Sequence, residues 1–159
     1  MALLAGHRLT VVDVETTGWS ATEGHEIIEI ARVVVDDGAI TETWSSLVRP
    51  ERPVPAESTR VHGITQEMLD QAAAPREIAQ SFHDACGDQP LVFHNAAFDL
   101  SFVNTFLRRA GRRLRARRPR STHRVRSAVT EVYQGEFSHE EFEVPGCGGN
   151  RHCAGWYGM

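Results

Sequence analysis

Residues 9–18 read Leu-Thr-Val-Val-Asp-Val-Glu-Thr-Thr-Gly. β-Branched residues fill this run and a Thr-Thr-Gly turn closes it, which marks a strand. Residues two apart in a strand point to the same face. Asp13 and Glu15 therefore emerge side by side, while Val12 and Val14 face the other way. The valines need a core. Two carboxylates on one face resist burial unless a positive group sits between them or water reaches them. A hard divalent cation such as Mg²⁺ or Mn²⁺ meets the first condition, and a solvated sheet edge meets the second.

The next segments extend this strand into a sheet. Residues 26–35 are a second apolar run, Asp36-Asp37-Gly38 supplies a hairpin turn, and residues 40–48 pair back as a third strand. Pro50, Pro53 and Pro55 mark an extended connection. Thr65 is placed to cap a short helix beginning at Gln66. A second helix is expected over Pro75–Cys86, with Ile78, Ala79, Phe82 and Ala85 on one face. Leu91-Val92-Phe93-His94 reads as a short buried strand. Residues 98–110 form an amphipathic helix with a stripe of Phe98, Phe102, Val103, Phe106 and Leu107, ended by Gly111. The order β-β-β-α-α-β-α predicts an α/β fold with a mixed sheet.

Beyond Gly111 the periodicity stops. A domain core over 1–111 is therefore expected, followed by an atypical tail over 112–159 that is Arg-rich and then Gly- and Cys-rich. The 159 residues suit one domain. The three cysteines form no disulfide framework. No apolar run approaches membrane-spanning length and the opening residues are too short for a signal peptide, so a cytoplasmic location without membrane contact is expected.

The net charge of -4 hides an asymmetry: all 17 basic residues are Arg. Residues 108–126 hold many of them and no acid, whereas most of the acids precede them. A basic block beside an acidic body suits a polyanionic partner. A solvated helix end would show the same charges.

Val12-Asp13-Val14-Glu15-Thr16-Thr17-Gly18, then Val61-His62-Gly63-Ile64-Thr65, then Val92-Phe93-His94-Asn95-Ala96-Ala97-Phe98-Asp99 occur in that order. Together they resemble the DEDD superfamily of 3′–5′ exonucleases, of the DEDDh type. The similarity is greatest to the branch with the proofreading epsilon subunit of bacterial DNA polymerase III. Residues 26–31 are similar to the second strand of that family. The resemblance implies a ribonuclease H-like fold, with the first three strands of its mixed sheet antiparallel and helices flanking it. It implies hydrolysis of single-stranded DNA 3′ ends with two Mg²⁺ or Mn²⁺ ions. Asp13, Glu15 and Asp99 would be the metal-site and catalytic carboxylates. The backbone of Thr16, Thr17 and Gly18 would meet the terminal nucleotide, with Glu57 and His62 beside it. Asn95 and Phe98 would line the strand groove, Phe98 by stacking on a base. A DNA polymerase subunit is an implied partner. The alternatives are an RNA 3′-exonuclease, or a catalytically impaired, nucleic-acid-binding remnant.

The resemblance covers residues 7–111 and then departs. The family's third motif is a His five residues before a last Asp, yet no Asp follows Asp99. His139 with Glu140, Glu141 or Glu143 is the nearest substitute, at the wrong spacing. Cys147, His152 and Cys153 lack a four-ligand zinc pattern. Where the family carries a Val-Asp-Thr-like segment, this chain has Arg120-Ser121-Thr122. Codons CGG TCG ACA would contain GTC GAC, Val-Asp, in another frame. A frameshift near residue 117 would account for the change in composition, and sequencing the gene tests it.

Overall fold

The computed structural model describes residues 6–115 and, for the backbone alone, 120–121. His123, His139, Cys147, His152 and Cys153, weighed above for the third motif or for zinc, lie outside the described residues. The sheet runs β3-β2-β1-β4-β5. Its members are β1 (Arg8–Thr16), β2 (Ile27–Asp36), β3 (Ala39–Leu47), β4 (Leu91–Phe93) and β5 (Arg120–Ser121). The first three strands are antiparallel neighbours, while β4 is parallel to β1 and β5 to β4. The expected mixed sheet is thus present.

The hairpin between β2 and β3 turns where the sequence indicated. Asp37 and Gly38 both take positive φ, at 52° and 82°, the geometry that matches the twist of the flanking strands. In the β1–β2 ladder Glu15 faces Glu29 in regular register, and the shift that follows sets Thr16 opposite Ile27.

Helix α3 (Pro75–Cys86) has the expected bounds, with Pro75 in its first turn. Its buried face is Ile78, Ala79, Phe82, His83 and Cys86, one residue round from the face that included Ala85. Helix α4 (Ala96–Arg109) begins two residues earlier than expected and buries Phe102, Val103, Phe106 and Leu107. These two helices pack with Val12, Val14, Ile30, Leu91 and Phe93 into the main core. Val12 and Val14 thus take their places in the core, and burial of such side chains stabilises the fold by about 1.5–3 kcal/mol each.

Two elements differ from the sequence expectation. Residues 56–62, within the stretch read as extended, form helix α1 (Ala56–His62). Pro55 takes its N-cap position with φ -64°, Glu57 sits in its first turn, and Gly63 closes it at φ 75°. Pro55 does not break this helix because it precedes the first turn, where a missing N–H costs nothing. None of its residues is buried, so it carries no apolar periodicity to read. At α2 (Gln66–Asp70), Thr65 holds the N-cap position but makes no side-chain capping bond. Beyond α4, two residues of the atypical tail pair as β5, Arg120 opposite Val92 and Ser121 opposite Phe93. Among the described residues no helix is long and apolar enough to cross a membrane.

Candidate active site

Asp13 and Glu15 leave β1 on the face opposite Val12 and Val14, as strand alternation requires. Asp99 reaches them from the first turn of α4 and is only 3% exposed. The two elements join because β4, parallel to β1, delivers the chain directly into α4.

All three carboxyls titrate above their ordinary range. Burial raises Asp13, against the pull of the Val14 backbone and of His94. Burial raises Glu15 to about 7, and the charges of Asp13, Glu29 and Asp99 add to it. Burial raises Asp99 to about 6, Asp13 adds to this, and backbone N–H groups of Asp99 and Asn95 oppose it. The pattern is that of several negative groups sharing a poorly hydrated space. Among the described residues, none of the three pairs with an Arg.

Glu29 is the residue that sequence reasoning missed. It stands opposite Glu15 in the β1–β2 ladder, and burial and Asp13 raise its pKa. Like charges directly opposite in a sheet destabilise it. The signal was present in the second-strand similarity, but only the register shows that Glu29 faces Glu15. His94, at the end of β4, is a second neighbour that was not singled out.

Carboxylate oxygens of this kind, with no Arg beside them, suit a hard divalent cation, so the donor chemistry fits the metal expected. The geometry is looser than a formed site. Among the described residues, no group of three His, Cys, Asp or Glu side chains is drawn together closely enough to hold an ion. The three carboxylates are coupled through space rather than clustered.

The loop after β1 is held by its own side chains. Thr16 Oγ1 donates to the Gly18 carbonyl at 2.7 Å. Thr17 is buried; its N–H donates to the Glu26 carbonyl, and its carbonyl accepts from Ser58 Oγ. Both backbone groups of Thr17 are therefore engaged within the fold. The N–H groups of Gly18 and Trp19 donate to nothing among the described residues. Gly18 has a further reason to lack a side chain: a Cβ there would run into the His25 imidazole.

The Ser58 bond ties α1, and with it Glu57 and His62, to this loop. Glu57 is exposed. His62 Nδ1 accepts the Ile64 N–H at 3.1 Å, so its other nitrogen carries the proton in the neutral ring. That Nε2 is buried without a partner among the described residues, and burial lowers the pKa of the ring. Asn95 holds the N-cap position of α4, but its side chain makes no capping bond and is exposed. Phe98 lies between Trp19 and Phe102, with ring centroids 6.2 and 5.0 Å away. Trp19 is 80% exposed.

Comparison with known proteins places these features in a family. The profile of the exonuclease family RNase_T matches residues 10–154, past the change in composition at 111. A DNA polymerase III subunit epsilon-like protein of Rhodobacter capsulatus is 46% identical over 95 residues, covering 58% of this chain and 14% of that protein. A PolC-type DNA polymerase III of Bacillus subtilis is 34% identical over 149 residues, covering 90% of this chain and 10% of that protein. The chain thus spans a small fraction of the length of these two relatives. Exonuclease X, solved with 5′ overhanging duplex DNA, superposes with a TM-score of 0.52 at 33% identity, covering 60% of this chain and 53% of that one.

Proposed function

Because the chain belongs to the DEDD exonuclease superfamily, whose members generally use divalent metal ions, we propose that it trims single-stranded DNA from the 3′ end, releasing nucleoside monophosphates. One observation carries this reading. Asp13, Glu15 and Asp99, from elements far apart in sequence, share a poorly hydrated region: burial raises all three, and the charge of Asp13 raises the other two further. In this reading Asp13, Glu15 and, from α4, Asp99 would hold two Mg²⁺ or Mn²⁺ ions. Ions bound there supply charge neutralisation at a phosphate that gains negative charge as its 3′-oxygen leaves.

The chain's own residues place the strand. The Gly18 and Trp19 N–H groups point a pair of donors at the terminal nucleotide, and Thr16 shapes the loop that presents them. His62, held as the Nε2–H tautomer by Ile64, keeps a buried, unpartnered donor near Glu57 that a turn of the ring would have to expose before a nucleotide could use it. Phe98 stacks on a base, as an aromatic face does without regard to sequence, and Asn95 offers its unused amide next to it. A 3′ end held by a polymerase subunit is the natural source of such strands for an epsilon-like domain.

A second reading follows from a specific absence: no Asp follows Asp99 in the sequence. A remnant that binds strands and cuts slowly would result, since a lost base and a lost ligand each act on the transition state. Digestion of 3′-labelled DNA and RNA oligonucleotides with and without Mn²⁺, alongside Asp13→Ala, separates these cases. Mn²⁺-dependent shortening of DNA that Asp13→Ala abolishes supports the exonuclease. Activity that survives Asp13→Ala sinks the metal assignment, and metal-independent binding without cleavage supports the remnant.

A further inference from the structure

Five arginines crowd the end of α4 and the residues after it: Arg108, Arg109, Arg112, Arg113 and Arg115, with no acid among them. Three are accounted for by the fold. Arg109 pairs with Glu26 at 2.8 Å, Arg112 donates to Gln80 on α3, and Arg108 donates to Thr105 within its own helix. Arg108 and Arg109 also sit in the last helical turn, where the helix dipole favours cations.

Arg113 and Arg115 have no such explanation. They lie past the end of α4, beyond reach of its dipole, and are exposed. Neither makes a hydrogen bond or ion pair among the described residues. Two more guanidiniums beside three others add repulsion and contribute nothing to packing. Guanidiniums bind phosphate through paired N–H groups.

The position of the cluster suits a strand leading away from the carboxylates. Asp99 and Arg109 stand ten residues apart on one helix, or about 15 Å along its axis. The far end of that helix is fixed to the sheet by the Arg109–Glu26 pair, and Glu26 directly precedes β2. The Glu26 N–H in turn donates to Thr17 Oγ1 at 3.0 Å, in the loop that faces the terminal nucleotide. Arg109 thus holds a fixed place relative to that loop, and Arg113 and Arg115 follow it by four and six residues.

The structure assigns to Arg113 and Arg115 the role of a phosphate grip for the nucleic acid strand upstream of the 3′ end, too far from the carboxylates to touch the terminal nucleotide. The assignment rests on the exonuclease reading for its choice of strand, but its test does not require cleavage. The grip makes binding of an oligonucleotide of several phosphates strongly salt-dependent and leaves a substrate with one phosphate unaffected.

The test uses the full chain, a fluorescent single-stranded DNA 12-mer followed by anisotropy in EDTA across a salt series, and the p-nitrophenyl ester of thymidine 5′-monophosphate as the single-phosphate substrate with Mn²⁺. The variants are Arg113→Gln/Arg115→Gln and Arg113→Lys/Arg115→Lys. The Gln pair is expected to weaken 12-mer binding about three- to tenfold and to flatten the slope of log K against log salt by about 1.4, two phosphate contacts at about 0.7 each. The Lys pair restores most of the slope, and turnover of the ester stays unchanged. An unaltered slope in the Gln pair overturns the grip, as does a Lys pair no better than Gln. Failure of the wild-type chain to hydrolyse the ester strikes the exonuclease reading alone, because the anisotropy slope still decides on the grip.

Discussion

Arg109 Nη1 donates to Glu26 Oε1 at 2.8 Å, joining the end of α4 to the start of β2 across 83 residues of chain. Glu26 is 8% exposed, and its other oxygen accepts the Glu51 N–H at 3.0 Å. A nearly buried carboxylate that loses its cationic partner keeps its desolvation penalty. Arg109→Ala is therefore expected to lower stability by about 1–3 kcal/mol, read as the shift in a urea unfolding midpoint. The double variant Glu26→Gln/Arg109→Ala should recover part of the loss. A change in the single variant no larger than for an exposed arginine such as Arg108 would show the pair to be solvated and weak.

Gly18 and His25 make a second pair whose roles can be separated. His25 Nδ1 lies 3.3 Å from Thr17 Oγ1, and its ring fills the space where a Gly18 side chain would go. Gly18→Ala should displace the ring, destabilise the loop and impair cleavage. His25→Ala removes the obstacle, so Gly18→Ala/His25→Ala should be more active than Gly18→Ala. If the double variant folds and stays as impaired as the single one, the glycine serves approach of the substrate rather than packing of His25.

These two pairs also show where the sequence was legible. That Asp13 and Glu15 share one strand face, and that Asp99 stands in the first turn of a helix, could be read in advance, because strand alternation and the start of an amphipathic stripe are local patterns. The hairpin was readable for the same kind of reason, since Asp37-Gly38 is a local turn signal. Gly18–His25 and Glu26–Arg109 depend on register and on the path of α4 across the sheet, which no local pattern encodes. Glu29 belongs with them: it faces Glu15 through the pairing register that β1 and β2 keep from Arg8 to Glu15. Helix α1 was missed because it is short and buries none of its residues, leaving no stripe to detect.

The raised carboxyls make stability depend on pH with a definite sign. Glu15 moves from 4.5 to about 7 and Asp99 from 3.8 to about 6 on folding. Between about pH 4 and 7 the folded chain therefore holds protons that the unfolded chain has released. Stability falls wherever the unfolded state binds fewer protons, so in EDTA it should decline from pH 4 through 7 and level off above. Mn²⁺ binds the ionised carboxylates and competes with those protons. The rise in Tm on adding Mn²⁺ should be several degrees at pH 8 and much smaller at pH 5.5. Equal shifts at both values, measured by differential scanning fluorimetry, would show that the ion binds elsewhere.

Asp99→Asn turns the same electrostatics into a change of opposite sign for folding and for function. At pH 8 the ionised Asp99 is 3% exposed and faces Asp13 and Glu15. A neutral amide of nearly the same shape removes both the desolvation and the repulsion. Against this stands the loss of an ionised acceptor for the N–H groups at the start of α4, and of a favourable charge at a helix N-terminus, about 0.3–1 kcal/mol. Burial is the larger effect, since Asp99 titrates above its ordinary value despite those N–H groups. Asp99→Asn in EDTA should thus raise the Tm at pH 8, raise it much less at pH 4.5 where the folded Asp99 is already protonated, and abolish most of the Mn²⁺ response. A lower Tm at pH 8 would mean that the helix start needs the charge more than the site resists it, and that Asp99 is a capping residue first.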